Sequence, residues 1–385
     1  MTATATKPIK ANKDYTIRAI TADQHEAYLS TRPAASFLQN PHWGEVKSEW
    51  RNESVGIYHE DVLVGASLIL YRPLPVVNKI PVIGNLSLAY ISEGPVVNAD
   101  VHISDVLPAL TSYVKKTGAF ELRLGLPETV RRWDADVVRK ALKDDQYEHL
   151  MELQADVDYR QISIESDMVR AGFKEPSIEE DFGNGQPMFQ ARIPIESDAE
   201  SVLMRMNQTS RSETRKSLKQ GLIIKRGASL VHDFHALYVM TAEREQFTPR
   251  PVSYFERLLE VFDRSEIAHA EVIVAYHEDI PLAAALTIRQ GDFLWYLYGG
   301  SSAEHRKMYA SRAVQWEMIS DAVKYGCKWY DLIGVPGSLK ANGKTSGLTM
   351  FKTAVGADVV QTHGEWSRPL IKPLSLAFNA YLNRR

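Results

Sequence analysis

The pattern that most narrows what this chain can fold into is a pair of strand-like runs joined by a polar turn, found once early and once late. Early in the chain, 53–58 and 63–71 flank His59-Glu60-Asp61, and late in it 270–276 and 280–289 flank His277-Glu278-Asp279. Leu63-Val64-Gly65-Ala66-Ser67-Leu68-Ile69 corresponds in position to Ile280-Pro281-Leu282-Ala283-Ala284-Ala285-Leu286. Continuous apolar runs of this kind suit a sheet covered on both faces. Similar elements recur around each pair: a helix near the start, and a long helix feeding a final strand. The first round reads as strand 15–19, a helix capped by Thr21, strand 85–90, helix 103–117 stopped by Gly118, and strand 120–126. The second reads as strand 189–193, helix 198–220 capped by Asp198, strand 223–225, helices 231–244 and 253–262, aromatic strand 293–299, helix 310–325 and strand 329–332. The charged segment 131–154 between them reads as a solvated helix. This predicts an α/β protein with mixed sheets, built as two structurally similar halves whose kinship sequence identity no longer shows.

A chain of 385 residues is too long for one compact core, which agrees with two domains. The net charge of −3 means that any polyanion site must be a local basic patch. The single cysteine, Cys327, permits no intramolecular disulfide, argues against a structural zinc site and fits a reducing cytoplasm. Residues 1–13 lack the apolar core of a signal peptide, and no apolar run is long enough to span a bilayer; the best candidate, 82–91, reads as a buried strand. The expected location is therefore cytoplasmic, with peripheral contact at the membrane open to it.

Five stretches are suited to chemistry. In 343–356, a polar loop leads into Leu348, Met350 and Phe351, an apolar anchor that carries Lys352 to the edge of a core. That suits either a surface lysine or a cation held where negative charge develops. In 36–50, Asn40 caps a helix with Pro41 in its first turn, and Trp43, Val46, Lys47 and Trp50 share a face; Lys47 either snorkels or meets a phosphate. Arg211, Arg215, Lys216 and Lys219, with Thr209 and Ser210, make a cationic helix end opposed by Glu213 alone, either a solvated face or a phosphate-binding surface. Pro249 and Pro251 preset the direction of Arg250, whose guanidinium can hold a phosphate bidentately. Tyr296 and Tyr298 share one face by strand alternation, as core or as pocket wall. The chain has no nucleophilic serine elbow, paired metal ligands or Walker loop. No metal is expected.

Taken in order, these motifs resemble the Fem (FemABX) family of peptidoglycan bridge-forming aminoacyltransferases. The resemblance rests on Phe37-Leu38-Gln39 with Pro41, Trp43-Gly44 and Lys47; Thr214-Arg215-Lys216 ending at Gly221; the loop from Thr248 to Tyr254; Tyr298-Gly299-Gly300-Ser301-Ser302; Tyr330-Asp331 with Gly334; and Gly347-Leu348 with Phe351-Lys352 and Gly356, followed by Gly364-Glu365. It implies two tandem acetyltransferase-like (GNAT-like) domains, a first over 14–166 with 364–385 returning to it, and a second over 167–363. It implies transfer of an amino acid from aminoacyl-tRNA, a co-substrate and not a cofactor, to an amine on the stem peptide of lipid II or UDP-MurNAc-pentapeptide by a monomer. Lys352 would stabilise the reacting ester and Phe351 would line the tRNA-end site. Lys47 and Arg250 would hold the precursor's phosphates, and Thr248, Tyr254 and Tyr298 its sugar or peptide.

The chain departs from the family at Arg123-Leu124-Gly125-Leu126-Pro127, which lacks an acid usual there. Ile223 follows the basic helix at once, so no long coiled-coil arm is expected. Two other readings use the same scaffold: an acyl-CoA-dependent N-acyltransferase, for which His305-Arg306-Lys307-Met308-Tyr309-Ala310 lacks the pyrophosphate-loop glycines, and aminoacyl-tRNA-dependent transfer in small-molecule biosynthesis. A non-catalytic tRNA- or lipid-binding module is a third. An aminoacyl ester is already activated, so no protein nucleophile is needed, and the amine's proton is expected to leave through substrate or water.

Overall fold

The structure is a computed structural model that describes residues 15–74, 86–178, 185–196, 198–340 and 344–382, with the side chains of 344–346 also left out. The expectations for 1–13 and 82–85 lie outside the described residues, as does Gly343.

Two mixed sheets carry the fold. The first runs Tyr15–Ala19, Arg51–His59, Val62–Pro73, Ser87–Ile91, Ala119–Gly125, Glu365–Pro369, with Val96–Val97 on the side of Val62–Pro73. The second runs Ile223–Arg226, Ala268–His277, Ile280–Gln290, Phe293–Ser301, Trp329–Gly334, Phe189–Pro194, Asp358–Thr362, Thr129–Trp133, Asp156–Val157. Read from its first strand, each sheet has four antiparallel strands, one parallel step, and an antiparallel sixth strand. Val62–Pro73 and Ile280–Gln290 occupy the same place in their sheets, as the matched apolar runs predict. The parallel step needs a crossover. In the first half the crossover contains Ile103–Lys116, whose Ile103, Val106, Leu107, Leu110 and Val114 recur at helical spacing and are buried. In the second half it contains Ala310–Lys324, which buries Ala310, Ala313, Val314, Met318, Ile319 and Ala322. Gly118 and Gly326 end these helices at φ +88 and +69, where a side chain would be strained.

Several local expectations change. The segment 131–154 is not a solvated helix. Thr129–Trp133 is a strand with Val130 and Trp133 buried, and only Ala135–Ala141 is α-helical. This strand and Asp156–Val157 fall within 14–166, yet they hydrogen-bond into the second sheet, through Asp358–Thr362. Residues 365–382 run the other way, adding a strand to Ala119–Gly125 and packing Phe378 on Phe120. The single helix expected over 198–220 is two, Ala199–Arg205 and Gln208–Ser217, because Met206 is extended and Asn207 caps a new start by accepting from the Ser210 N–H at 2.8 Å. Ile223–Arg226 follows after a short turn, so no helical arm is inserted. The helix starting at Pro41 ends at Val46, which leaves Trp50 beyond it.

The halves are joined through Asn40. Its side-chain oxygen caps the Pro41–Val46 helix at 3.0 Å from the His42 nitrogen, and its amide faces Glu26, Ser265 and, at 3.0 Å, Gln290. Gln290 in turn donates to the Ala35 carbonyl at 3.1 Å. Asn40 is fully buried, so removing the amide strands partners on both halves. Asn40→Ala is expected to lower unfolding stability by about 2–4 kcal/mol, from the lost cap and unsatisfied partners, read as a drop in the urea midpoint; an unchanged midpoint would contradict this account of the joint.

Candidate active site

The parallel step of the second sheet is where the site opens. Phe293–Ser301 and Trp329–Gly334 pair only through Phe293, Leu294 and Trp295 against Trp329, Tyr330 and Asp331. Beyond Trp295 the two strands separate. The register of Phe293–Ser301 against Ile280–Gln290 also shifts, so that Tyr298 pairs with Leu286 and Tyr296 with Thr287, leaving Leu297 as the extra residue. A bulge reverses the alternation of side chains beyond it. Tyr296 and Tyr298 therefore lie on opposite faces, contrary to the alternation argument. Tyr298 packs with Tyr238, Tyr254 and Phe255, while Tyr296 packs with the core that contains Val314 and Met318.

On the Tyr298 face, a cavity of about 300 Å³ lies between the halves. Phe37, Trp43, Lys47 and Glu93 line it from the first half, and Gln190, Arg250, Trp295, Tyr298, Asp331 and Ile333 from the second. It shares Trp43, Lys47, Gln186 and Arg250 with an adjoining hollow of about 210 Å³ that adds Trp50, Arg72, Tyr90 and Arg123. Lys47 and Arg250 thus stand at the junction of the two spaces. The Lys47 ammonium lies 4.9 Å from the Trp43 ring and 5.6 Å from that of Tyr254, while Arg250 lies 4.5 Å from Tyr254. The Tyr298 hydroxyl donates to that of Tyr254 at 3.3 Å. Burial, with the Arg250 charge beside it, lowers the Lys47 ammonium to about 8. Of the expected substrate-binding residues, Lys47, Arg250, Tyr254 and Tyr298 are brought together. Thr248 is exposed on its loop and lines neither space.

On the Tyr296 face, Phe351 lines both a recess of about 150 Å³, with Tyr296 and Gly299, and a larger hollow of about 450 Å³, with Ser301, His305, Arg306 and Arg312. A side chain at Gly299 would run into the Tyr296 hydroxyl, so the glycine keeps this recess open. Phe351 and Lys352 are not at the end of a polar loop. Lys344–Ala354 is a helix, and among its described side chains it buries Thr349, Lys352, Thr353 and Ala354, while Leu348 is 36% exposed. The loop expectation put the apolar residues inside; the helix leaves Leu348 exposed and Met350 and Phe351 half-buried, and carries the lysine in. The Lys352 ammonium donates to the Gly334 carbonyl at 2.6 Å, at the end of the separated strand. Burial lowers it to about 7, against the opposing pull of Asp331.

Asp331 anchors a buried polar chain that sequence reading did not find. It faces Arg192 across the strands, and the Arg192 Nε donates to it at 2.8 Å with both side chains under a tenth exposed. Its other oxygen accepts from the Ile333 N–H at 2.6 Å, holding Ile333 at φ +63, a strained setting for a β-branched residue. Arg192 also donates to the Gln190 side-chain oxygen, and the Gln190 amide nitrogen donates to Glu93 at 3.0 Å. Asp331 falls in the Tyr330-Asp331 motif, but no short motif marks Arg192, Gln190 or Glu93 or links them to it, because the polar chain lies on three separate segments.

The basic patch is partly neutralised. Arg215 pairs with Glu200 at 2.7 Å, Arg211 donates to the Met204 carbonyl at 3.3 Å, and Ser210 is buried, while Lys216 and Lys219 are exposed. Glu213 of the same helix pairs with Arg312 at the 450 Å³ hollow, so the patch borders that space. Among the described residues there is no cluster of three or more potential metal ligands, and no helix is long and apolar enough to cross a membrane.

Two units with the same strand order share one cleft, a tandem-domain α/β architecture. The chain belongs to the FemAB family, whose model matches residues 20–276 and 263–384. It is 24% identical over 422 residues to the lipid II:glycine glycyltransferase of Staphylococcus epidermidis, covering 92% of this chain and 93% of that one. It is 25% identical over 337 residues to the UDP-N-acetylmuramoylpentapeptide-lysine N(6)-alanyltransferase of Weissella viridescens, covering 86% and 88%. A crystal structure of FemX has the same fold, with a TM-score of 0.76 at 20% identity over 94% of this chain and 99% of that one.

Removing one partner from a buried ion pair strands the other. Arg192→Met is expected to destabilise the protein by about 3–5 kcal/mol, and adding Asp331→Leu to recover much of that loss, measured by denaturant unfolding of both variants. Equal stability of wild type and Arg192→Met would refute the pair's role.

Proposed function

We infer that this chain is an aminoacyltransferase that takes an amino acid from aminoacyl-tRNA and adds it to an amine on the stem peptide of a peptidoglycan precursor, lipid II or UDP-MurNAc-pentapeptide, forming an interpeptide bridge. This extends to the chain the activities in the names of its full-length relatives. The observation that carries it is the joining of Lys47 and Arg250, from different halves, at one cleft that backs onto the Lys352 helix. Two cations there suit the precursor's diphosphate, and the edge-to-face phenols of Tyr254 and Tyr298 suit its sugar or peptide. The hollow lined by Phe351 on the other face suits the charged end of the tRNA, with Arg211, Arg215, Lys216 and Lys219 on its border for the backbone. A precursor held on a bilayer would require only peripheral contact with the inner membrane face.

The ester needs alignment with the amine and stabilisation of the oxyanion that forms. Alignment comes from holding the two substrates on the two sides of the separated strands. The Lys352 ammonium, already desolvated and aimed along the end of Trp329–Gly334, supplies the positive charge with little reorganisation. Asp331, itself paired with Arg192, is the charged group beside it and favours the protonated form.

Incubation with a mixed charged-tRNA pool and either lipid-linked or nucleotide-linked precursor, read by mass shift, tests this function; no shift with either acceptor overturns it. Lys352→Met is expected to lower kcat by about 10²–10³, as loss of one oxyanion-stabilising group does, and near-normal kcat would refute the role of Lys352. Because the ammonium is present below about 7 and lost as pH rises through that value, the wild-type kcat is expected to decline on the alkaline side. Lys47→Ala and Arg250→Ala should raise KM for the precursor more than for aminoacyl-tRNA, and equal effects on both would count against the diphosphate assignment.

A further inference from the structure

The cleft contains a carboxylate that the proposed transfer leaves unused. Glu93 follows the Ser87–Ile91 strand, is 8% exposed and lines the 300 Å³ cavity. Its backbone is at φ +49, a left-handed setting that is strained for a glutamate and that concentrates at functional sites. Among the described residues no Lys, Arg or His forms an ion pair with it, although Arg192 lies near enough to influence its charge.

The surrounding chain keeps Glu93 an acceptor. Arg192 has only donors, so the Gln190 oxygen must face it and the Gln190 amide nitrogen must face Glu93. One Glu93 oxygen takes that bond at 3.0 Å, and lone pairs remain for a donor in the cleft. The cleft's other carboxylate, Asp331, is already committed to Arg192 and to the Ile333 N–H. Glu365, close by, accepts from the Tyr90 hydroxyl and the Gln186 N–H, and it lines neither cavity. The Ser36 hydroxyl also bonds to Glu93. Glu93 therefore offers a bound molecule a carboxylate with no ion-pair partner among the described residues, in a cavity whose rim carries Lys47 and Arg250. The ligand that matches is anionic at one end and an alkylammonium at the other.

We propose that Glu93 is a catalytic residue that docks the acceptor ammonium and takes its first proton, an assignment that rests on the transferase reading. The ammonium gives one proton to the Glu93 carboxylate and becomes a free amine. The amine nitrogen attacks the ester carbonyl carbon, forming the C–N bond and an oxyanion. Collapse breaks the bond from carbon to the ribose oxygen, and that oxygen leaves with the second proton from nitrogen. Glu93 returns its proton to solvent when product departs, so the net change is amine plus ester to amide plus ribose hydroxyl, with one proton released from the ammonium. Burial raises the carboxyl's proton affinity, bringing it closer to that of an amine.

The test pairs Glu93→Gln with two acceptors: the natural precursor, and the same precursor with an aminooxy group, uncharged at neutral pH, in place of the acceptor ammonium. Glutamine keeps the volume and can still accept from Gln190. With the natural precursor, Glu93→Gln is expected to lose on the order of 10²-fold in kcat/KM, the usual scale of general-base catalysis; with the aminooxy acceptor the two enzymes should agree within a few fold. Equal losses on both acceptors, or full activity of the variant on the natural one, would overturn the assignment while leaving the transferase reading intact. A wild-type enzyme inactive on both acceptors would overturn that reading and this assignment with it.

Discussion

The ion pair between Arg192 and Asp331 is the constraint on which the rest of the site depends. Two buried charges are tolerable only when each is paired and its remaining hydrogen-bonding capacity is used. Asp331 meets that condition through Arg192 and the Ile333 N–H, and Arg192 through Asp331 and the Gln190 oxygen. The consequences spread outward: Ile333 is held in a strained backbone setting, the Gln190 amide is turned toward Glu93, and the Lys352 ammonium has a negative neighbour inside the protein. Lys352 is thus buried beside a negative group that is itself paired, and not as an isolated charge.

The cleft exists because the second sheet comes apart where its one parallel step occurs. The strands that pair at Trp295 and Asp331 have separated by Tyr298 and Gly334, and the bulge at Leu297 sends the two tyrosines to opposite faces. One face becomes the floor of a cavity roofed by the first half, and the other opens toward Phe351. The sheet therefore has a separate hollow on each side of the gap. The first half repeats the strand order but contributes its loops, through Lys47 and Glu93, and the segments that cross between the sheets keep the halves from separating.

How much of this was legible in the chain depended on how local each signal was. The matched strand pairs, the crossover helices with their glycine stops, the Thr21 and Asp198 caps and the missing arm are set by short-range patterning, and the structure has them. The expected helix over 131–154 failed because charged residues at a strand edge look like a solvated helix; Trp133 and Val130 reveal the strand only once Asp358–Thr362 is there to pair with it. Lys352 was noticed for its cation behind an apolar anchor, but the anchor was misread. A helix places Thr349, Lys352 and Thr353 inward, and threonines do not announce a buried face.

By itself, the sequence determined the fold class, the duplication and the identity of most residues that gather at the cleft, because hydrophobic period and motif order survive when identity is lost. The tertiary structure alone decided that Tyr298 and not Tyr296 faces the cleft, that Thr248 stays outside it, and that Glu93 is a carboxylate without a cation. Those outcomes turn on one extra residue in a strand and on an ion pair between segments far apart in the chain. Neither leaves a local pattern, since a bulge needs its partner strand to define it and a buried charge needs its neighbours.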